Sequence, residues 1–106
     1  MSEFVRGMRV QHPTADGARA DWGRTSSGWA LNLDGTAAVA FALPRLEIDH
    51  GPRGWICRCR FADGSSRELQ DESGSMAVAK RTAAELARGK VAGDHLALVE
   101  ALLAAP

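Results

Sequence analysis

Residues 55–70 read WICRCRFADGSSRELQ, and the placement of this stretch decides the fold. Successive side chains on a strand point to opposite faces, so Trp55, Cys57, Cys59 and Phe61 share one face while Ile56, Arg58 and Arg60 share the other. Asp63-Gly64 then signals a turn. Residues that meet across a hairpin must lie on the same side of the sheet, and this tests the loop length. A two-residue loop would set Arg60 against Arg67. A three-residue loop of Ala62, Asp63 and Gly64 sets Cys57 against Leu69 and Arg58 against Glu68, pairing apolar with apolar and base with acid. The expectation is this odd-length hairpin, with one apolar and one basic face.

Downstream, the polar residues 71–75, DESGS, lead into a helix expected from Ser75, its N-cap, to Gly89, its C-terminal glycine. Met76, Ala79, Ala83 and Leu86 form the apolar stripe of that helix. Lys80, Ala84 and Arg88 line another face with Arg81 beside them, and Glu85 can pair with Arg81 or Arg88. A last helix is expected from about Asp94, its cap, to Ala104, with Leu96, Val99 and Leu103 toward the core.

Upstream, Gly, Asp and Pro divide the chain into short strands, expected at residues 8–11, 18–24, 28–33, 37–43 and 46–48. Trp29, Leu31 and Leu33 alternate with small or polar residues, as do Val39, Phe41 and Leu43 beyond Asp34-Gly35. A hairpin with a three-residue loop, Leu33-Asp34-Gly35, places Trp29 opposite Val39 and keeps both apolar sets on one face. In this reading Trp29, Phe41, Trp55 and Phe61 turn inward and Trp22 is the exposed tryptophan.

The chain has 106 residues, enough for one ordinary domain or two small modules sharing an interface. Two packed modules are expected, residues 1–49 and 50–106. A hydrophobic content of 45% with three Trp suffices for a globular core, and 25% charged residues is ordinary for such a domain. Thirteen basic residues balance thirteen acidic ones, so the whole molecule exerts no long-range attraction on nucleic acid or an anionic membrane. Any such binding must use a local patch. The N-terminal residues carry Glu3, Arg6 and Arg9 and no apolar run of signal-peptide length, which makes the cytoplasm the expected location. The longest apolar run, residues 37–43, is far short of the roughly 20 residues of a membrane span.

Cys57 and Cys59 would point the same way on a strand, a spacing that rarely closes a disulfide, and they read as small buried apolar groups in a reducing compartment. His12, His50 and His95 fall in separate elements without zinc-site spacing. No phosphate-cradling Gly-rich loop or nucleophile elbow is present. Asp71 and Glu72, the only adjacent carboxylates, lie in a polar linker that would leave them solvated. No enzymatic reaction, cofactor or metal is expected. What remains is a basic set on or near the hairpin and the first helix: Arg53, Arg58, Arg60, Arg67, Lys80 and Arg81, with Arg88 and Lys90 following. Phosphate binding needs such a cluster, although Glu68 and Glu85 can neutralise some of it.

Residues 4–48, with the opening Gly7-x-x-Val10-x-His12-Pro13, the Asp34-Gly35 turn and the closing Leu46-Glu47, resemble a Tudor or KOW-type small β-barrel. That resemblance implies a docking module for protein surfaces or nucleic acid. Residues 46–87, with an Asp63-Gly64 hairpin and an Ala-rich helix carrying Ala79-Lys80 and Ala83-Ala84, are similar to the later part of a double-stranded-RNA-binding domain. That family's lysine pair at the start of the helix is replaced here by Met76 and Ala77, leaving only Lys80. The same stretch is similar to the arm-binding domain of tyrosine recombinases in its Arg58-x-Arg60 and Asp-Gly turn. On that analogy Arg58 and Arg60 would contact DNA from the exposed sheet face, with Arg67 and Arg53 as neighbours.

The expected architecture is therefore α+β: a small β-barrel-like module, then a β-hairpin and two helices. The expected function is non-enzymatic nucleic-acid binding, to DNA or RNA, through the basic hairpin face. The alternative is a protein-docking module or small regulator, which zero net charge favours.

Overall fold

The computed structural model describes residues 22–34, 36 and 41–104. Among these residues the chain is α+β, with one five-stranded antiparallel sheet followed by two helices. The strands are β1 (Gly23–Arg24), β2 (Gly28–Asn32), β3 (Arg45–Gly51), β4 (Gly54–Arg60) and β5 (Ser66–Asp71), each paired with the next in sequence. The helices are α1 (Met76–Ala87) and α2 (Gly93–Ala104). The described strands form an open sheet with β1 and β5 at its edges, not a closed barrel. Residues 4–21 of the barrel-like stretch, and the strand expected at residues 8–11, lie outside the described residues.

The β4–β5 hairpin has the register that parity demands, with Cys57 opposite Leu69 and Arg58 opposite Glu68. Its loop is closed by Phe61 N–H donating to the Ser65 carbonyl at 2.8 Å, with Gly64 at a positive φ of 91°. Asp63 reinforces it by accepting from the Ser65 amide at 2.9 Å and hydroxyl at 2.6 Å. These hydrogen bonds, first that from the Ser65 hydroxyl, hold the Asp63 carboxyl well below the usual carboxylate range.

The N-terminal pairing differs from expectation. Trp29 lies between Arg24 of β1 and Ile48 of β3, so both flanks of the strand at that point are taken and the expected Trp29–Val39 pairing is excluded. Residues 37–40 are outside the described set. Asp34 starts a turn by accepting from the Thr36 amide and hydroxyl at 2.9 and 2.6 Å, and Phe41 and Ala42 belong to no strand. Asp34 thus makes a turn, with Gly35 outside the described residues, and the strand that pairs with β2 comes later. β2 pairs instead with β3, which supplies Leu46 and Ile48 in phase with Leu31 and Trp29. β3 runs through the expected module boundary at residue 49 and meets β4 through the turn at Pro52-Arg53, with Gly51 opposite Gly54. Gly54 has a φ of 133°, and a Cβ there would lie 2.3 Å from the Asp71 carbonyl oxygen, so only glycine fits.

Strand alternation creates the core. Leu31, Leu46, Ile48, Cys57, Cys59 and Phe61 project from one side and meet Ala79, Ala83, Ala84 and Ala87 of α1 and Leu98, Val99 and Leu102 of α2. The alanine stripe lets α1 lie close over β4 and β5. Ser75 is the N-cap, accepting from the Val78 amide at 3.3 Å, and Gly89 follows the C-cap with a φ of 84°. Four expectations change at this layer. Ala84 is buried rather than part of a basic face, and α2, whose span agrees with expectation, buries Leu98 and Leu102 beside Val99, leaving Leu96 and Leu103 only partly covered. Trp22 is partly buried against the core, whereas Phe41 is 61% exposed. No helix among the described residues is long and apolar enough to cross a membrane.

Candidate docking surface on the polar sheet face

The side of the sheet opposite the helices carries a ladder of charges. Glu47 of β3 stands directly opposite Arg58 of β4, which stands directly opposite Glu68 of β5. Arg45 and Arg60 also face each other across β3 and β4, a like-charge pairing that would be unfavourable alone. Glu47, one position along that face, resolves it. Its Oε1 accepts from Arg60 Nε at 2.8 Å and Arg58 Nη1 at 3.0 Å, and its Oε2 accepts from Arg45 Nε at 3.1 Å. Arg58 also donates to Asp49 Oδ2 at 3.2 Å and to Glu68 Oε1 at 3.1 Å. Two neutral partners fasten the ends: Ser27 donates to Asp49 Oδ1 at 2.8 Å, and Arg45 Nη1 donates to Asn32 Oδ1 at 2.7 Å.

The protonation states follow from this geometry. Burial pushes the Glu47 carboxyl up, but hydrogen bonds from Arg60, Arg58 and Arg45 outweigh it and hold the group below the usual carboxylate range. Burial likewise opposes the charge on Arg58, and hydrogen bonds to Glu47, Glu68 and Asp49 more than restore it. The Glu47 side chain is only 15% exposed, so this is a partly desolvated network and its bonds exceed those of an isolated surface pair. Three arginines face three carboxylates, and the ladder is neutral. A shallow groove of about 200 Å³ runs between Thr25, Ser27 and the ladder.

The structure distributes the six expected nucleic-acid ligands over several surfaces. Arg58 and Arg60 lie together in the ladder. Arg53 occupies the exposed β3–β4 turn, 3.7 Å from Glu72. Arg67 is on the helix side, where it donates to the Leu86 and Arg88 carbonyls at 3.0 and 3.2 Å and closes the C-terminal end of α1. Lys80 sits over the Trp22 and Trp29 rings at 5.6 and 5.9 Å, and Arg81 is exposed on α1. Arg60, which has no carboxylate opposite it on β5, is held by Glu47 of β3.

Sequence reasoning missed Arg45, Glu47 and Asp49. The signal was available in the alternation Arg45-x-Glu47-x-Asp49 around Leu46 and Ile48, and in the short turn between Gly51 and Gly54, which puts Glu47 opposite Arg58.

Other chemistry-bearing groups are quiet. Cys57 and Cys59 are free and fully buried, and Cys57 Sγ donates to the Ala79 carbonyl at 3.4 Å. Burial, with Asp71 nearby, pushes the Cys57 thiol up to about 11, and burial pushes Cys59 to about 12. Neither is a nucleophile at neutral pH. His50 packs against Trp55 with ring centroids 4.5 Å apart, His95 sits in the first turn of α2, and His12 is outside the described residues. Among the described residues no three His, Cys, Asp or Glu side chains gather as a metal site.

Compared with known proteins, the chain matches no family model, no curated protein and no solved structure.

Proposed function

We propose that this chain is a non-enzymatic protein-docking module that presents the charge ladder of its sheet to the surface of a partner protein. One observation carries the reading: Arg45, Arg58 and Arg60 are matched by Glu47, Asp49 and Glu68 at hydrogen-bond distance. A polyanion gains from displacing counterions at unpaired cations, and here it would have to compete with built-in carboxylates. A protein surface of mixed charge suits such a ladder, because complementary placement of both signs gives specificity without net attraction. The accessible ends of the ladder are Arg60, 44% exposed, and Glu68, 55% exposed, and these are the groups a partner would meet first.

Titration with a labelled duplex and a labelled single strand at two salt concentrations tests the reading. The natural chain is expected to bind neither. The double variant Asp49→Asn/Glu68→Gln, whose ladder carries an excess of two positive charges, is expected to acquire salt-dependent binding. Low-salt binding by the natural chain that is lost on changing Arg58 and Arg60 to Ala would overturn the docking reading in favour of a nucleic-acid surface. Partners captured by crosslinking are expected to be lost with Arg60→Glu and retained with a substitution on the helix side such as Arg81→Ala.

A further inference from the structure

The two edges of the sheet differ. β1 is two residues long, whereas β5 runs for six and has a neighbouring strand on one side only among the described residues. The Phe61–Ser65 hydrogen bond sets the phase of the β4–β5 ladder. Hydrogen-bonded pairs fall at Cys59–Arg67, Cys57–Leu69 and Trp55–Asp71, and the backbone N–H and C=O groups of Ser66, Glu68 and Gln70 turn to the open edge. Apolar surface borders that edge. Leu69 is 54% exposed and Val78 of α1 is 43% exposed. Lys80 faces Trp29, toward the far side of the sheet, and Val78 lies two residues earlier, about 200° round the helix, on the β5 side. An edge of this length with outward amides and flanking apolar side chains is a template for another strand.

We propose that the strand is β5 of a second copy, paired antiparallel about a two-fold axis through Leu69. In this register Glu68 and Gln70 form hydrogen-bonded pairs with the partner's Gln70 and Glu68, using the outward amides. Leu69 meets the partner's Leu69, and Arg67 meets the partner's Asp71. Every opposed pair is apolar with apolar, base with acid, or amide with carboxylate. The neighbouring two-fold register with the same hydrogen-bond phase, centred on Glu68, would oppose two glutamates. Gln70 supplies a further observation: its Nε2 is buried without a hydrogen-bond partner, and the Leu69-centred register brings a carboxylate opposite that residue. Because α1 lies over β4 and β5, the two copies of α1 come within about 10–14 Å on one side of the joined sheet, close to helix-packing distance, with Val78 between them. The two charge ladders then lie side by side on the other face.

Sedimentation velocity over a concentration series tests this on the full chain. The natural chain is expected to reach twice its 11.3 kDa mass at micromolar to hundred-micromolar concentration. Gln70→Pro removes an outward N–H while sparing the β4 ladder, and Leu69→Lys places two ammonium groups at the axis; each is expected to weaken association at least about tenfold, with an unchanged circular dichroism spectrum confirming the fold. Glu68→Gln is expected to leave association within about twofold, since a glutamine there keeps a carbonyl oxygen to accept from the partner's Gln70 amide while giving up only the charge. A monomer at all concentrations, or a dimer indifferent to both Gln70→Pro and Leu69→Lys, overturns the proposal. Marked tightening by Glu68→Gln overturns the Leu69-centred register.

Discussion

On the helix side of the sheet, Ile48 and Cys57 stand opposite each other with no exposure; on the other side, Glu47 and Arg58 stand opposite each other as an ion pair. The same two strands thus carry two kinds of stabilisation, sorted by a period of two. On the covered side the gain comes from apolar area removed from water and scales with packing against α1 and α2. On the polar side it comes from a few short charge-assisted hydrogen bonds centred on one carboxylate. An apolar core loses stability in proportion to the volume removed. A network with a central acceptor loses several bonds at once when that acceptor goes.

The largest expected effect breaks the covered side. Ile48→Ala leaves a cavity beneath α1 and should destabilise the chain by about 3 kcal/mol, measured by urea unfolding. Glu47→Gln breaks the polar side and should cost about 2 kcal/mol, because hydrogen bonds from three guanidinium groups lose their ionic acceptor in a partly desolvated setting. Arg60→Ala removes only one arm of the ladder, at its exposed end, and should cost under about 1 kcal/mol. The thiols give the smallest response. Cys57 and Cys59 should not react with a thiol reagent at neutral pH until the chain unfolds, whereas modification within the native lifetime would mean the β4–α1 interface opens.

A pH titration separates the two sides without mutation. The Glu47 carboxyl is held below its ordinary value of 4.5, so the folded state binds this proton less readily than the unfolded chain. The resulting stabilisation is present above pH 4.5 and is lost as pH falls through the lowered folded value. The apolar side contributes no such dependence. In Glu47→Gln this part of the acid destabilisation should disappear, read as a smaller drop in melting temperature from pH 5 to pH 3 than in the natural chain.

Local chemistry made the C-terminal half legible. The Ala62-Asp63-Gly64 loop fixed the β4–β5 register, and Ser75 and Gly89 marked the ends of α1, because each signal acts within a few residues of the structure it specifies. The N-terminal half was harder because its pairing is decided at longer range. Residues 29–33 have the alternation of a strand, but two later segments, near Phe41 and near Ile48, offered acceptable apolar partners, and the turn at Asp34 did not discriminate between them. The candidate site was half legible for the same reason. Arg58, Arg60 and Glu68 lie on one hairpin, while Glu47 and Asp49, which change the meaning of those arginines, come from the strand on the other side. A basic string in the sequence becomes a neutral surface in the fold.

The most direct test of that neutral ladder is the hydrogen exchange of the arginine Nε–H groups, followed by NMR. Arg45, Arg58 and Arg60 each commit Nε–H to a carboxylate of Glu47 or Glu68, so their signals should be dispersed and slow to exchange at neutral pH. In Glu47→Gln the Arg45 and Arg60 signals should lose that protection. Rapid, solvent-like exchange of these signals in the natural chain would contradict the account and return the arginines to solvent as free phosphate ligands.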